Sequence, residues 1–374
     1  MQVFSRARTT PDESVTDGRV PGLPAPRRIV IMRATPGMGD MLCAVPAFRA
    51  LRTAFPRAHI ALITVEWLEP LVRRYTHYID ELIPFPGYPG IPELGFDVCR
   101  LPAFFASMHA RNFDLAIQMH GNGSISNPFT ILLGAKLNAG WYQPGAYCPD
   151  QSLFLPYVDD EHEICRQLRL LAHLGIPHRG YHLEFPLYGS DFEELGAITE
   201  AACLREGEYV CLHPGATEPA RRWCPGSFAA VGDALARQGL QIVLTGTSTE
   251  LGLAQAVAGA MRSSALNLAG RTGLGTLAAL LSRARLVVCN DTGVSHLAAA
   301  LRVPSVVLFT TTSPERWAPL DSHLHRVVLT SPVADQHRHE HGPQPERTHQ
   351  MQAVRQVLHH ARNLLSTRTE RLAK

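Results

Sequence analysis

Short apolar segments alternate along the chain with longer amphipathic ones, a pattern typical of alternating strands and helices. Residues 28–32, RIVIM, are apolar at nearly every position, as expected of a strand in a parallel sheet covered on both faces. A helix predicted at 42–55 ends before Pro56, and a second strand at 59–65 completes a β–α–β unit. A second series of the same kind begins at 209–216. The pattern therefore predicts an α/β fold of two Rossmann-like domains whose parallel sheets face a central cleft.

Changes in composition divide the chain into successive parts. The first part is polar and rich in Pro and Gly, and we expect it to be a disordered lead-in. A connector that contains one helix joins the two Rossmann-like domains, and a helix with a tail closes the chain. The predicted boundaries are 1–26 for the lead-in, 27–185 for the first domain, 186–206 for the connector, 207–345 for the second domain and 346–374 for the tail.

The composition is that of a soluble globular protein, with 45% hydrophobic and 18% charged residues among 374. A formal net charge of +2 gives no reason to expect a nucleic-acid partner. No apolar run approaches the roughly 20 residues of a transmembrane helix, and the N-terminal segment lacks the apolar core of a signal peptide. The eight cysteines form no CxxC pair, so we expect reduced thiols in a cytoplasmic protein.

The most informative stretch is RLVVCNDTGVSHLAAAL at 285–301, an apolar strand that stops in polar residues and leads into a helix. The turn contains Asp291, Thr292 and Gly293, and His296 follows in the first helical turn. Such a turn directs unpaired backbone N–H groups and the positive end of a helix dipole at one spot. That spot suits a phosphate or diphosphate, at the carboxyl end of a strand where open α/β sheets bind their ligands.

Two other strand ends in the second half carry glycine together with hydroxyl or charged residues. LHPGATEPARRW at 212–223 places two adjacent arginines beside a tryptophan, which either an anionic partner or a solvated basic loop explains. LTGTSTE at 244–250 brings a glutamate to the start of a helix, where it either caps the helix or binds ribose hydroxyls. All these strand ends line the same edge of one sheet. The candidate residues are His213, Gly215, Thr217, Arg221, Arg222, Thr245, Gly246 and Glu250.

The candidate site in the first half is the loop TPGMGD at 35–40. Gly37 and Gly39 permit tight turns and the close approach of a ligand. Asp40 stands at the start of a helix, where a carboxylate also acts as a cap. The loop lacks the GxGxxG spacing of dinucleotide-binding proteins, which disfavours an NAD-dependent oxidoreductase.

The histidine-rich segment HRHEH at 337–341 spaces its histidines at i, i+2 and i+4, and only this spacing suggests a metal. The segment has the character of a loop and has no cysteine or carboxylate frame beyond Glu340. We therefore interpret these histidines as incidental, and we expect neither a metal nor a cofactor.

Four segments together resemble the ADP-heptose–lipopolysaccharide heptosyltransferases, glycosyltransferase family 9. The resemblance extends over nearly all of the chain from Arg28 to about Leu365, with the motifs in the same order and at suitable separations. The segments are RATPGMGDMLCAVPAFRALRTAFP at 33–56, HPGATEPARRWCPGSFAAVGDAL at 213–235, LTGTSTE at 244–250 and NDTGVSHLAAALRVPSVVLFTTTSPERWAP at 290–319.

The resemblance implies a GT-B architecture, with the acceptor on the N-terminal domain and the nucleotide sugar on the C-terminal one. It also implies an inverting transfer that needs no metal. By position, Asp40 is the implied general base, Glu250 holds the ribose, and Arg221 contacts phosphate where the family usually has Lys. The residues implied around the sugar and diphosphate of the donor are Asp291, Thr292, Gly293 and His296.

The implied partners are a nucleotide-diphosphate sugar, with ADP-heptose favoured, and a lipopolysaccharide-core or similar glycan acceptor. A membrane-embedded acceptor would bring the protein to the inner leaflet of the plasma membrane. Two other functions stay open for the same fold, a nucleotide-sugar epimerase and a non-catalytic nucleotide-sugar binding protein. An epimerase would convert its donor without any acceptor, whereas a binding protein would turn nothing over.

Overall fold

The computed structural model describes residues 2–3, 25–330 and 344–372. The histidine-rich segment at 337–341 lies outside the described residues, and so does most of the predicted lead-in. Within that lead-in, Gln2–Val3 form a short strand that the sequence did not predict. The disorder predicted for the remainder stays a prediction.

The chain divides into two compact units, Met1–Tyr181 and His182–Lys374. The segment predicted as a connector, 186–206, therefore lies wholly within the second unit. It contains a helix, as predicted, and this helix is bonded to its own unit, since Thr276 donates a hydrogen bond to the Glu194 carboxylate at 2.7 Å.

The first unit is a sheet of parallel strands with one antiparallel strand, β1, at its edge. The strand order is β1-β4-β3-β2-β5-β6-β7. The strands are β1 (Gln2–Val3), β2 (Arg28–Met32), β3 (His59–Thr64), β4 (Glu81–Pro84), β5 (Leu115–Gln118), β6 (Leu137–Tyr142) and β7 (Phe154–Pro156). The helices are α1 (Met38–Ala54), α2 (Glu69–Val72), α3 (Leu101–His109), α4 (Ser126–Ile131) and α5 (Glu163–His173).

The second unit is a parallel sheet in the order β10-β9-β8-β11-β12-β13. Its strands are β8 (Tyr209–His213), β9 (Gln241–Leu244), β10 (Ala265–Asn267), β11 (Leu286–Asn290), β12 (Ser305–Phe309) and β13 (His325–Leu329). Its helices are α6 (Gly189–Ala197), α7 (Pro225–Ala236), α8 (Leu251–Ala260), α9 (Leu274–Ser282), α10 (Gly293–Ala300), α11 (Pro314–Trp317) and α12 (Gln344–Leu372).

Apart from the edge strand β1, both sheets follow the Rossmann order, in which the chain starts in the middle, builds outward and then returns to the other side. The order reverses between β2 and β5 in the first unit and between β8 and β11 in the second. The central strands are buried along nearly their whole length, which explains their continuous apolar sequence. Loops that leave neighbouring strands diverge at such reversals, so each sheet has one favoured place for a ligand at its carboxyl edge.

Several element boundaries differ from the sequence prediction. Residues 129–137, predicted as a helix, contain only the end of α4, and Leu137 already begins β6. The C-terminal helix α12 starts at Gln344, two residues before the predicted tail at 346–374. The edge strands β7 and β13 were not predicted, since they are short or carry polar residues that weaken the apolar signal.

None of the helices in the described part of the chain combines the length and the apolar character that crossing a bilayer requires.

Candidate active site

The site in the second unit forms where β8 and β11 lie side by side. Cys289 of β11 pairs with His213 of β8, so the loops that follow these strands leave the sheet next to each other. Asn290, the last residue of β11, is fully buried. Its side-chain oxygen accepts a hydrogen bond from the Trp223 backbone N–H (3.0 Å), and its amide nitrogen donates to the Pro214 carbonyl (2.8 Å). Asn290 thus binds both ends of the loop that follows β8.

The helix α10 begins directly after β11 and presents its N-terminus at the reversal point. Its N-cap residue, Thr292, has extended backbone and does not cap the helix with its hydroxyl. Asp291 is buried beside this turn, and its carboxylate accepts a hydrogen bond from the Thr312 hydroxyl at 2.6 Å. The backbone N–H groups at the start of α10, which begins at Gly293, therefore lie where the sequence predicts them, and their binding of an anion stays a prediction.

His296 lies one turn into α10 and is 4% exposed. Its ring meets that of Trp317 edge to face, with the ring centroids 6.2 Å apart. This contact fixes the position of the imidazole close to the start of the helix.

The two adjacent arginines have different environments. The Arg222 side chain donates to the Ala216 carbonyl at 2.8 Å and so stabilises its own loop. The Arg221 guanidinium makes no hydrogen bond or ion pair with any residue that the structure describes. The loop is held from the far side by Thr310, whose hydroxyl donates to the Ala220 carbonyl at 2.9 Å. Arg221 is therefore the arginine available to bind an anion, while Arg222 stabilises the loop.

His213 and Thr245 are buried at the base of this site. The Nδ1 atom of His213 lies 3.1 Å from the Thr245 hydroxyl oxygen. Burial lowers the pKa of His213, and the nearby Glu250 carboxylate opposes this shift only in part. A neutral His213 that bonds across neighbouring strands stabilises the sheet edge, and a donor contact for either residue stays a prediction, as it does for Thr217 and Gly246.

Glu250 caps a helix, as one of the two sequence interpretations predicts, and its binding to ribose stays a prediction. Its Oε2 atom accepts hydrogen bonds from the backbone N–H and the hydroxyl of Thr247, at 2.8 and 2.9 Å, and this capping box precedes α8. The carboxylate also lies directly against Gly215, where a Cβ atom would overlap Oε1. Capping therefore fixes a carboxylate beside the loop that carries Arg221.

We expect Gly215→Ala to weaken the binding of the ligand of this site about tenfold, or ~1.4 kcal/mol. The added methyl group occupies the position of the Glu250 carboxylate. That carboxylate is the flexible end of a side chain, so it moves aside and the protein stays folded. Calorimetric titration with ADP and with ADP-sugars measures the effect.

Gly252→Ala is the matched control, because it lies in α8 near Glu250 and a methyl group there meets nothing within 4 Å. Its affinity should match that of the wild type, with a gain in stability of about 0.5–1 kcal/mol. Equal affinities of the wild type and Gly215→Ala would contradict a role for Glu250 in binding.

The site in the first unit lies at the carboxyl ends of β2 and β5. Gly37 is the N-cap residue of α1, and Asp40 lies in the first helical turn. The Asp40 carboxylate folds back over Gly37, where a Cβ atom would overlap its Oδ2 atom. Asp40 is partly exposed, whereas Gly39 is buried in the helix. The glycine at 37 thus permits this position of the carboxylate.

The sequence analysis missed a pair of ionisable side chains at this same edge of the sheet. His120 follows β5, and its Nε2 atom lies 3.4 Å from the Glu93 carboxylate. Burial raises the pKa of Glu93, but the hydrogen bond and charge of His120 outweigh it and hold that pKa below its usual value. Only the polar turn after β5 signalled this pair, because Glu93 comes from a distant loop.

Among the described residues, no group of three or more His, Cys, Asp or Glu side chains is arranged to hold a metal ion. The histidines at 337–341 lie outside those residues.

Known proteins resemble this chain over most of its length. The family model "Glycosyltransferase family 9 (heptosyltransferase)" matches residues 102–344. The chain is 27% identical over 330 residues to lipopolysaccharide heptosyltransferase 2 of Escherichia coli (strain K12), which covers 84% of this chain and 90% of the relative.

Solved structures show the same fold. The glycosyltransferase family 9 protein of Veillonella parvula DSM 2008 superimposes with a TM-score of 0.74 at 22% identity, covering 91% of this chain and 98% of its own. The E. coli ADP-heptose lipopolysaccharide heptosyltransferase II gives a TM-score of 0.70 at 22% identity, covering 91% and 99%. These likenesses confirm the α/β fold of two parallel sheets and its GT-B class.

Proposed function

The chain belongs to glycosyltransferase family 9 and is a glycosyltransferase, and we propose that it transfers a heptose from ADP-heptose to the core of a lipopolysaccharide. Relatives similar over most of the chain are lipopolysaccharide heptosyltransferases, and one is described as acting with ADP-heptose. The observation in this chain that carries the proposal is the helix N-terminus of α10 at the reversal point of the second sheet, together with an Arg221 guanidinium left free by the described residues.

The donor is assigned to the second unit. The diphosphate is placed at the N-terminus of α10, where Thr292 and Gly293 supply backbone N–H groups and Arg221 supplies a positive charge. Glu250 is assigned to the ribose hydroxyls, which a carboxylate binds as acceptor. Asp291 and His296 are assigned to the sugar and the diphosphate.

The proposed reaction is a single displacement with inversion. Asp40 accepts the proton of the acceptor hydroxyl while that oxygen bonds to the anomeric carbon of the heptose. The bond between the anomeric carbon and the diphosphate oxygen breaks, and ADP leaves with the electron pair. The negative charge on ADP is stabilised by the helix N-terminus and by Arg221, so the proposed mechanism requires no metal.

The acceptor is assigned to the first unit, at the edge that carries Asp40. The Trp67 indole N–H donates to the Pro36 carbonyl at 3.4 Å, which places a ring that is 52% exposed beside the loop of Asp40. Phe104 and Phe105 of α3 are partly exposed as well. Since aromatic rings favour the boundary between apolar and aqueous regions, these residues support peripheral contact with the inner leaflet, at the cytoplasmic face of the membrane.

The test is an assay of the purified full chain with ADP-heptose and a heptose-deficient lipopolysaccharide. We expect release of ADP in step with a heptose mass added to the acceptor. A preceding thermal-shift screen of nucleotide sugars identifies the donor, because a ligand that binds the native state raises the melting temperature.

Three results would replace the proposal with another function. ADP release only from a different nucleotide sugar would change the donor. An isomerised donor formed without acceptor would indicate an epimerase. A donor that binds without any turnover across a panel of acceptors would indicate a binding protein.

A further inference from the structure

A buried arginine that the sequence analysis did not single out connects Asp40 to the rest of the first unit. Arg33 follows β2 directly and is 1% exposed. One nitrogen of its guanidinium donates to the Asp40 carbonyl at 2.7 Å, and another donates to the Met119 carbonyl, also at 2.7 Å. A single rigid group therefore joins the first turn of α1 to the residue that follows β5, across the reversal point of the sheet.

The guanidinium is itself held by α5. The Glu163 carboxylate, from the first turn of that helix, lies 3.1 Å from Arg33. Gln167 donates to the same carboxylate at 2.9 Å, and Arg166 pairs with its other oxygen. Arg166 in turn donates to the Val158 carbonyl at 2.7 Å. Because the side chains of Arg33 and of the three α5 residues that hold it are buried, these groups have little freedom to move.

The first turn of α1 needs such support. Its N-cap residue is Gly37, which has no side chain to cap the helix or to pack against the sheet. The position of the Asp40 carboxylate therefore depends on the backbone of this turn, and the backbone at Asp40 is bonded directly to Arg33.

We propose that Arg33, oriented by Glu163, is a positioning residue that holds the Asp40 carboxylate where it meets the acceptor hydroxyl. The inference rests on the proposed function, in which Asp40 is the base. Rates of transfer fall steeply when a reacting group is displaced by as little as about 1 Å, by a factor on the order of 10². Removing the contacts of Arg33 therefore lowers turnover more than it lowers the binding of either substrate.

The experiment compares Arg33→Lys with Arg52→Lys in the full chain. Lysine keeps the charge at position 33, but its single nitrogen cannot take the places of the two guanidinium nitrogens that bond the Met119 and Asp40 carbonyls. Arg52 is the matched control, a buried arginine at the other end of α1 that bonds the Ala58 and Tyr78 carbonyls at 2.7 and 2.9 Å and pairs with Asp80.

We expect Arg33→Lys to lower kcat about 10- to 100-fold, with the KM of donor and acceptor changed less than about threefold. Arg52→Lys should lower the melting temperature to a similar extent and keep kcat within about twofold. Glu163→Asp retains the charge but shortens the side chain, and we expect it to lose less kcat than Arg33→Lys. This milder variant serves as the test if Arg33→Lys fails to fold.

A double variant tests whether Arg33 acts through Asp40. If it does, Asp40→Asn combined with Arg33→Lys is no slower than Asp40→Asn alone, because the group that Arg33 positions is already lost. The inference is overturned if the two losses multiply, if Arg33→Lys or Glu163→Asp keeps full kcat, or if Arg52→Lys loses as much. A wild-type chain that transfers no heptose rejects the proposed function itself, and that result is seen before any variant is made.

Discussion

Asp40→Asn is expected to reduce heptose transfer about 10²- to 10⁴-fold, the range that a positioned general base contributes. Asparagine has nearly the shape of aspartate but cannot accept a proton from the acceptor hydroxyl. The carboxylate lies at the carboxyl edge of the first sheet, in the first turn of α1 and against Gly37. The donor is assigned to the second unit, so its affinity should stay unchanged.

The measurement is the initial rate of ADP release with saturating acceptor, together with donor affinity by calorimetry. Asp114→Asn is the matched control, because Asp114 directly precedes β5, at the end of that strand away from Asp40. Its carboxylate accepts hydrogen bonds from the backbone N–H groups of Arg27 and Arg28 at 2.8 and 3.0 Å. That variant should lose stability and keep its rate. Full activity of Asp40→Asn would show that another group takes the proton.

The strand ends of the second unit could be predicted from sequence, because local signals define them. A buried strand in a parallel sheet is apolar throughout, and the abrupt change to polar residues at Asn290 marks its end. The glycine and hydroxyl residues that follow are typical of a turn that opens a helix. The prediction of an anion-binding turn at α10 needed only these neighbours in sequence.

The partners of individual side chains could not be predicted, because they depend on which strands become neighbours. Arg221 and Arg222 look equivalent in sequence, yet only Arg222 reaches the Ala216 carbonyl of its own loop. Arg33 looks like an ordinary polar residue after a strand. Its role becomes visible only when β5 and α5 bring Met119 and Glu163 to it from 86 and 130 residues away.

The partners of the Asn290 side chain also could not be predicted from sequence, and they lead to the second prediction with a large expected effect. The sequence marks Asn290 only as the point where an apolar strand becomes polar, yet its side chain binds both ends of the loop that follows β8. That loop contains Gly215 and Arg221. The proposed donor site in the second unit therefore depends on a residue that need not touch the donor.

Asn290→Asp is expected to destabilise the protein by about 3 kcal/mol, as do other buried groups left without a partner. The new oxygen faces the carbonyl oxygens of Pro214 and Gly215, which the amide nitrogen of Asn290 contacts at 2.8 and 3.3 Å, so a donor is replaced by a repelling acceptor. Burial raises the pKa of the new carboxyl in the folded state. The unfolded chain releases the proton at lower pH, so the variant loses further stability as pH rises from about 4 through the raised pKa.

Urea unfolding between pH 4 and pH 8, with calorimetric titration of the donor, measures both consequences of Asn290→Asp. Asn267→Asp is the control, because Asn267 ends β10 of the same sheet and, among the residues that the structure describes, its side chain bonds only the nearby Ala269 N–H, at 3.0 Å. We expect Asn267→Asp to change neither the free energy of unfolding nor the donor affinity. Asn290→Asp should also bind the donor at least about tenfold more weakly. Unchanged donor affinity in folded Asn290→Asp would mean that the loop keeps its position without the side chain, and Arg221 and Gly215 would then owe their placement to Arg222 and Thr310.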